Sequence, residues 1–121
     1  MDMDKTLQFM LLILVALLSH FVADFMFQQD KEAQKKSTSN YYLTYHVVKY
    51  SVIMALVIGP LLALINGVLH WVTDYFSSRT ASYYYKKGDR HNFFVVIGFD
   101  QFLHSAALVV TIYYMCFGMF G

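Results

Sequence analysis

The sequence has one cysteine, one proline and one tryptophan in 121 residues, and only 14% of it is charged. A single thiol, Cys116, excludes a secreted scaffold held together by disulfides. So little charge excludes a disordered tail, which stays unfolded because it is polar. It also excludes an ordinary water-soluble domain, in which about 25% of residues are charged. A chain this small buries only roughly two thirds of its surface, so in water it would need abundant polar cover. Instead, 58% is hydrophobic and 18% aromatic. The net charge of +1 gives no basic surface, so no nucleic-acid partner is expected. What remains is a single integral membrane domain, all-α, over residues 1–121.

The apolar run from Leu7 to Phe27 is interrupted only by Gln8, Ser19, His20 and Asp24. Its length suffices to cross a hydrocarbon core of about 30 Å at 1.5 Å per residue. It begins after Asp2, Asp4 and Lys5 and ends in the bulky Phe25-Met26-Phe27. A cleaved signal peptide wants a basic start and small residues at its end, so this run reads as a span. Further spans are expected over 42–58, 61–76 and 93–117, giving a four-span transmembrane helical bundle. Gly59-Pro60 breaks the middle run into a hairpin of two helices, since proline lacks a donor and clashes inside a helix. Ser37-Thr38-Ser39-Asn40 offers N-cap candidates for the second helix.

Polar loops are expected at 28–41 and 77–92. Four spans place both on one side, with the termini and Gly59-Pro60 on the other. The loop side carries Lys31, Lys35, Lys36, Arg79, Lys86, Lys87 and Arg90, against Lys5 opposite. The positive-inside rule puts the loops in the cytoplasm and both termini outside, in the cell's inner membrane. Tyr83-Tyr84-Tyr85 would then anchor at the inner interface, and Lys49, inside the second span, would snorkel or meet an acid.

Seven ionisable residues recur inside these spans at helical spacing. His20 and Asp24 are four apart, as are His70 and Asp74, and Asp100 and His104; His46 stands near the start of the second span. Side chains at i and i+4 share one helix face, so each couple can aim at one point. Gln28 continues the first face, and Gln101 lies beside Asp100. With alternating helix directions, all seven fall at one depth near the inner leaflet. A carboxylate at mid-membrane costs about 2.5–3.5 kcal/mol, and three acids facing four neutral imidazoles are short of cations. A divalent metal held by His20, Asp24, His46, His70, Asp74, Asp100 and His104 resolves this, with Zn favoured over Mn or Fe. Seven donors exceed one closed zinc site and suggest two ions, or one ion with supporting acids and bases. The competing reading makes these residues interhelical hydrogen-bond glue. His91, in the basic loop, reads as solvated.

His20-Phe21-Val22-Ala23-Asp24-Phe25 and His70-Trp71-Val72-Thr73-Asp74-Tyr75 share the pattern His, aromatic, Val, any, Asp, aromatic. This suggests a duplicated two-helix hairpin, with halves of about 1–58 and 61–121 and a site at their interface.

Taken in order, His20, Asp24, Gln28, His46, His70, Asp74, Asp100, Gln101 and His104 resemble the motifs of a family of small bacterial and phage membrane proteins, the domain of unknown function 3307. That family often carries a lysine soon after the His-x-x-x-Asp of its third helix. Here Tyr75, Phe76, Ser77 and Ser78 follow and Arg79 is the first base, so no role for such a lysine carries over. The resemblance implies a polytopic membrane protein and supplies no activity.

The leading functional reading is a metal-dependent hydrolase acting on a membrane lipid or lipid-linked substrate near the cytoplasmic leaflet. His20, His70, His104 and one acid would ligate, a remaining acid among Asp24, Asp74 and Asp100 would act as base, and Gln28 or Gln101 would polarise the substrate. The alternatives are non-enzymatic. One is an interaction or assembly factor whose polar set is structural. The other is an ion or proton pathway, disfavoured because the outer halves of the spans lack polar groups. So short a chain leaves little room for a pocket, which a homodimer would relieve.

Overall fold

The computed structural model describes residues 3–26 and 35–118. Four α-helices make up nearly all of them: α1 (Met3–Phe21), α2 (Asn40–Ile58), α3 (Pro60–Lys87) and α4 (Arg90–Phe117). α1 runs on into a π-helical turn, Val22–Met26. Each helix packs on its neighbours in the chain, and α4 closes back against α1. The fold is all-α, as expected.

α1 with its π-turn, α2 and α4 are each long and apolar enough to cross a membrane. α3 is more polar, but the polar residues of its first half point inward. Asn66, Gly67, His70 and Asp74 are buried, while Leu64, Ile65, Val68, Leu69 and Val72 between them are exposed. The same inversion holds for Leu7, Leu11, Leu14 and Leu18 on α1 and for Phe99, Phe102 and Val110 on α4. Water-soluble monomers rarely expose contiguous apolar patches beyond a few hundred Å², so this exterior is that of a membrane protein.

The interior divides by chemistry. Ala16, Tyr50, Met54, Ile58, Leu62, Leu108, Ile112 and Cys116 form an apolar cluster. The ionisable residues gather apart from it, beyond Tyr50, whose ring lies 4.3 Å from that of His70. Close approach of α2 and α3 depends on Gly67. A Cβ there would collide with the Ser51 hydroxyl, and Ala63 one turn earlier is also buried. Small residues four apart let two helix backbones approach.

The hairpin at Gly59-Pro60 forms as expected: Gly59 alone separates α2 from α3, and Pro60 takes the first helical position, where its missing donor is harmless. Ser39 occupies the N-cap position of α2, although its side chain makes no capping bond. The expected polar loop at 77–92 is a correction. Residues 77–87 are helical, and only Gly88-Asp89 separates α3 from α4. Polarity there marks where the helix leaves apolar surroundings, not where its hydrogen-bond ladder stops. Termination falls at Gly88, with φ 82°, where Gly88 N donates to Tyr85 O and Asp89 N to Tyr84 O. This is the Schellman arrangement, which favours glycine because of its left-handed backbone. Asp89 also caps α4, its carboxylate accepting from Asn92 N at 3.1 Å and Asn92 Nδ2 at 2.7 Å. Those bonds hold the Asp89 carboxyl below the ordinary carboxylate range.

Candidate metal centre

Each helix delivers its share of one buried cluster. His20 ends α1, Asp24 sits in the π-turn, His46 lies in the second turn of α2, His70 and Asp74 lie on α3, and Asp100 and His104 on α4. All seven are brought together, and none is more than 6% exposed. The π-turn is a feature that i, i+4 spacing does not foresee; such turns inside helices are frequent at functional sites.

Three atoms define the tightest part. Asp24 Oδ1 lies 3.2 Å from His46 Nε2 and 3.3 Å from His70 Nε2, and the two nitrogens are 3.2 Å apart. Ligands bound to zinc at about 2.0–2.1 Å in a tetrahedron stand about 3.3–3.4 Å from one another. The triangle has the dimensions of one tetrahedral face. Asp24 Oδ1 has no hydrogen-bond partner despite its two close nitrogens.

A second group of donors adjoins the first. His104 Nε2 lies 3.1 Å from Asp100 Oδ2 and 3.6 Å from Asp74 Oδ1. The other oxygen of Asp74, Oδ2, lies 3.6 Å from His46 Nε2, so this carboxylate stands between the two groups. Asp24, His70 and His104, His46, His70 and Asp74, and Asp74, Asp100 and His104 each place donor atoms close enough to hold a metal ion. His70 and His104 link the groups directly, Nδ1 to Nδ1 at 2.8 Å.

His20 plays a different part. Gln101 Nε2 donates to Asp100 Oδ2 at 3.1 Å and faces Asp24 Oδ2 at 3.5 Å. Carboxylates only accept, so the amide is oriented, and its Oε1 must accept from His20 Nε2 at 2.8 Å. His20 Nε2 therefore carries the proton. It also lies 3.3 Å from Asp24 Oδ2, which turns Oδ1 of that carboxylate toward His46 and His70. The geometry thus brings His46, rather than His20, to the Asp24–His70 pair.

The chain matches the family described as protein of unknown function (DUF3307) over residues 10–120. It belongs to that family. The DUF3307 match spans all seven clustered residues, in agreement with the resemblance read from their motifs. No curated protein and no solved structure gives a match.

Two contributors to this DUF3307 centre escape sequence reasoning. Lys36, assigned to a polar loop, donates to Asp74 Oδ2 at 3.2 Å. Lys49 Nζ stands over the Tyr45 ring at 4.9 Å, and Arg79 stacks on Tyr75 and donates to Tyr75 O and Asn40 Oδ1. Ser77 donates to Asp100 Oδ1. Its signal was present, because Ser77 lies three residues beyond Asp74 on the same face of α3. His91 is exposed, as expected. Gln28 lies outside the described residues.

Proposed function

We propose that the chain is a four-span protein of the inner membrane that binds a divalent cation, zinc in preference to manganese or iron, and hydrolyses a lipid or lipid-linked substrate near the cytoplasmic leaflet. The observation that carries this reading is the Asp24–His46–His70 triangle, with edges of 3.2–3.3 Å. Interhelical glue has a different appearance in the same molecule: Asn66 Nδ2 donates to Thr111 Oγ1 at 2.9 Å, and that hydroxyl donates to Ala107 O. There both partners are neutral. Among the described residues of the centre, three carboxylates meet one ammonium, Lys36, and an uncompensated buried charge costs several kcal/mol. A divalent ion supplies the missing charge.

Held by Asp24, His46 and His70, such an ion would supply an activated water near neutral pH. Asp100, steadied by Ser77 and Gln101, suits the general base. The cationic residues near the 35–36 and 86–90 ends support a cytoplasmic location for that side.

Elemental analysis of protein purified in detergent tests this reading. About one or two equivalents of zinc or manganese are expected, falling at least fivefold in His70→Ala and Asp24→Ala while helical circular dichroism is retained. Wild-type protein that is folded and metal-free would sink the proposal in favour of a structural role.

A further inference from the structure

A cavity of about 670 Å³ opens from the centre along the α3–α4 hairpin. α3 leaves room for it because the lining residues that follow Asp74 are small: Ser77, Ser78, Ala81 and Ser82. These recur at i+3 and i+4, so they share one face of the helix. That face ends at Tyr85 and Lys86, which line the cavity and are exposed. From Asp74 to Lys86 it runs about 18 Å at 1.5 Å per residue. Across it, Phe93 and Ile97 of α4 supply an apolar wall.

The two sides of the centre differ. On the cavity side the floor is acidic, lined by Asp24, Asp74 and Asp100. Lys36 is engaged with Asp74 and offsets one of the three charges. The lining includes neither His46 nor His70, which stand behind Asp24. Asp24 therefore belongs to both the floor and the triangle, and its Oδ1 is buried without a hydrogen-bond partner. On the other side, Tyr50 lies over His70 at 4.3 Å. Beyond it Met54, Leu108 and Ile112 are fully buried, and the Asn66–Thr111 pair among them is neutral.

We infer that this cavity is the route by which a divalent cation enters and leaves the centre, from the hairpin end. The inference rests on the metal-binding part of the reading above and is independent of the hydrolase. A bare ion does not cross packed apolar side chains, because burying a charge without partners costs far more than burying a polar group. The cavity spares it that cost. Water takes about 30 Å³ a molecule in the liquid, so the space admits an ion with its hydration shell. Carboxylate oxygens at the floor suit an ion that is still partly hydrated. Asp24 then joins that oxygen-rich entrance to the imidazoles of His46 and His70, which hold zinc more firmly. Lys86 opposes a cation only weakly, since it is exposed at the mouth and screened there. With one side open and the other packed, the centre is loaded and emptied from one face and does not conduct across the bundle.

Metal-exchange kinetics in detergent test the route, in a Cys116→Ala background. Ser82 lines the cavity, whereas Thr80 on the same helix is exposed and outside the lining, so Ser82→Cys and Thr80→Cys form a matched pair. Each is loaded with zinc and treated with a cationic methanethiosulfonate, and zinc release to a chromogenic chelator is timed. Modified Ser82→Cys is expected to release zinc at least tenfold more slowly than before treatment. Its zinc content at saturation should be unchanged, and reducing the mixed disulfide should restore the rate. Modified Thr80→Cys should release zinc at the untreated rate. Release unaltered by complete modification of Ser82→Cys overturns the route and leaves the metal reading intact. So does a Ser82→Cys thiol that stays unreactive while Thr80→Cys reacts, because the space is then closed to water. Folded protein that takes up no zinc before any treatment overturns the metal reading itself.

Discussion

Asp74 shows how much one side chain is asked to do. It is 1% exposed, yet its carboxylate faces His46 on one oxygen and His104 on the other, and receives Lys36. Asp74→Asn keeps the shape but removes the charge and turns half the group into a donor. Metal content is expected to fall at least fivefold, and the thermal midpoint in detergent should drop, because Lys36 loses its partner; breaking a buried pair costs about 3–5 kcal/mol when fully desolvated. Elemental analysis and a melting curve check both effects. The seven donors themselves were legible from sequence, since i, i+4 spacing is a property of the helix alone. Lys36 was not, because its approach to Asp74 joins a turn before α2 to a helix 38 residues away. The distinction between His20 and His46 was also hidden: it depends on the orientation of Gln101, which only the assembled network fixes.

The helices were legible where apolarity and length agree, and less so at their ends. The break at Gly59-Pro60 was plain because proline and glycine each act locally. The end of α3 was misplaced by about three turns because residues 77–87 are polar but contain nothing that stops a helix before Gly88. The contact between α2 and α3 supplies a test at this scale. Gly67 lies against Ser51 and Val47, one turn from His70 and beside the residue that follows His46. Gly67→Val sets its methyls against the Ser51 and Val47 side chains and should disturb the seating of α2 on α3. Metal content is expected to fall severalfold although every donor is retained, whereas Gly98→Val, at a position with open space, should leave it unchanged.

For the whole molecule, the inverted exterior and the shared depth of the polar set were legible, since both follow from putting hydrophobic residues against lipid and ionisable ones away from it. The cavity was not, because an empty volume depends on how far apart two helices settle. With α3 and α4 at 28 residues each, or about 42 Å, their hairpin exceeds a hydrocarbon core of about 30 Å. Its turn should therefore stand clear of the membrane, on the side proposed above to be cytoplasmic. In a Cys116→Ala background, Lys87→Cys is expected to react with an impermeant maleimide in everted vesicles and resist it in intact spheroplasts. The opposite pattern reverses the proposed orientation.

The two-residue turn has a geometric corollary. Counting back from Gly88 and forward from Asp89, Ser77 and Asp100 stand equally far along their helices, and they are hydrogen-bonded partners. Asp89 completes the end of one helix while starting the next, so the turn acts as a fixed origin from which both arms are measured. One additional residue within α4 between Asp89 and Asp100 would rotate Asp100 and His104 by about 100° relative to the turn and swing them off the shared axis. The tip of the hairpin, the part farthest from the chemistry, is thus where the alignment of the whole centre is calibrated.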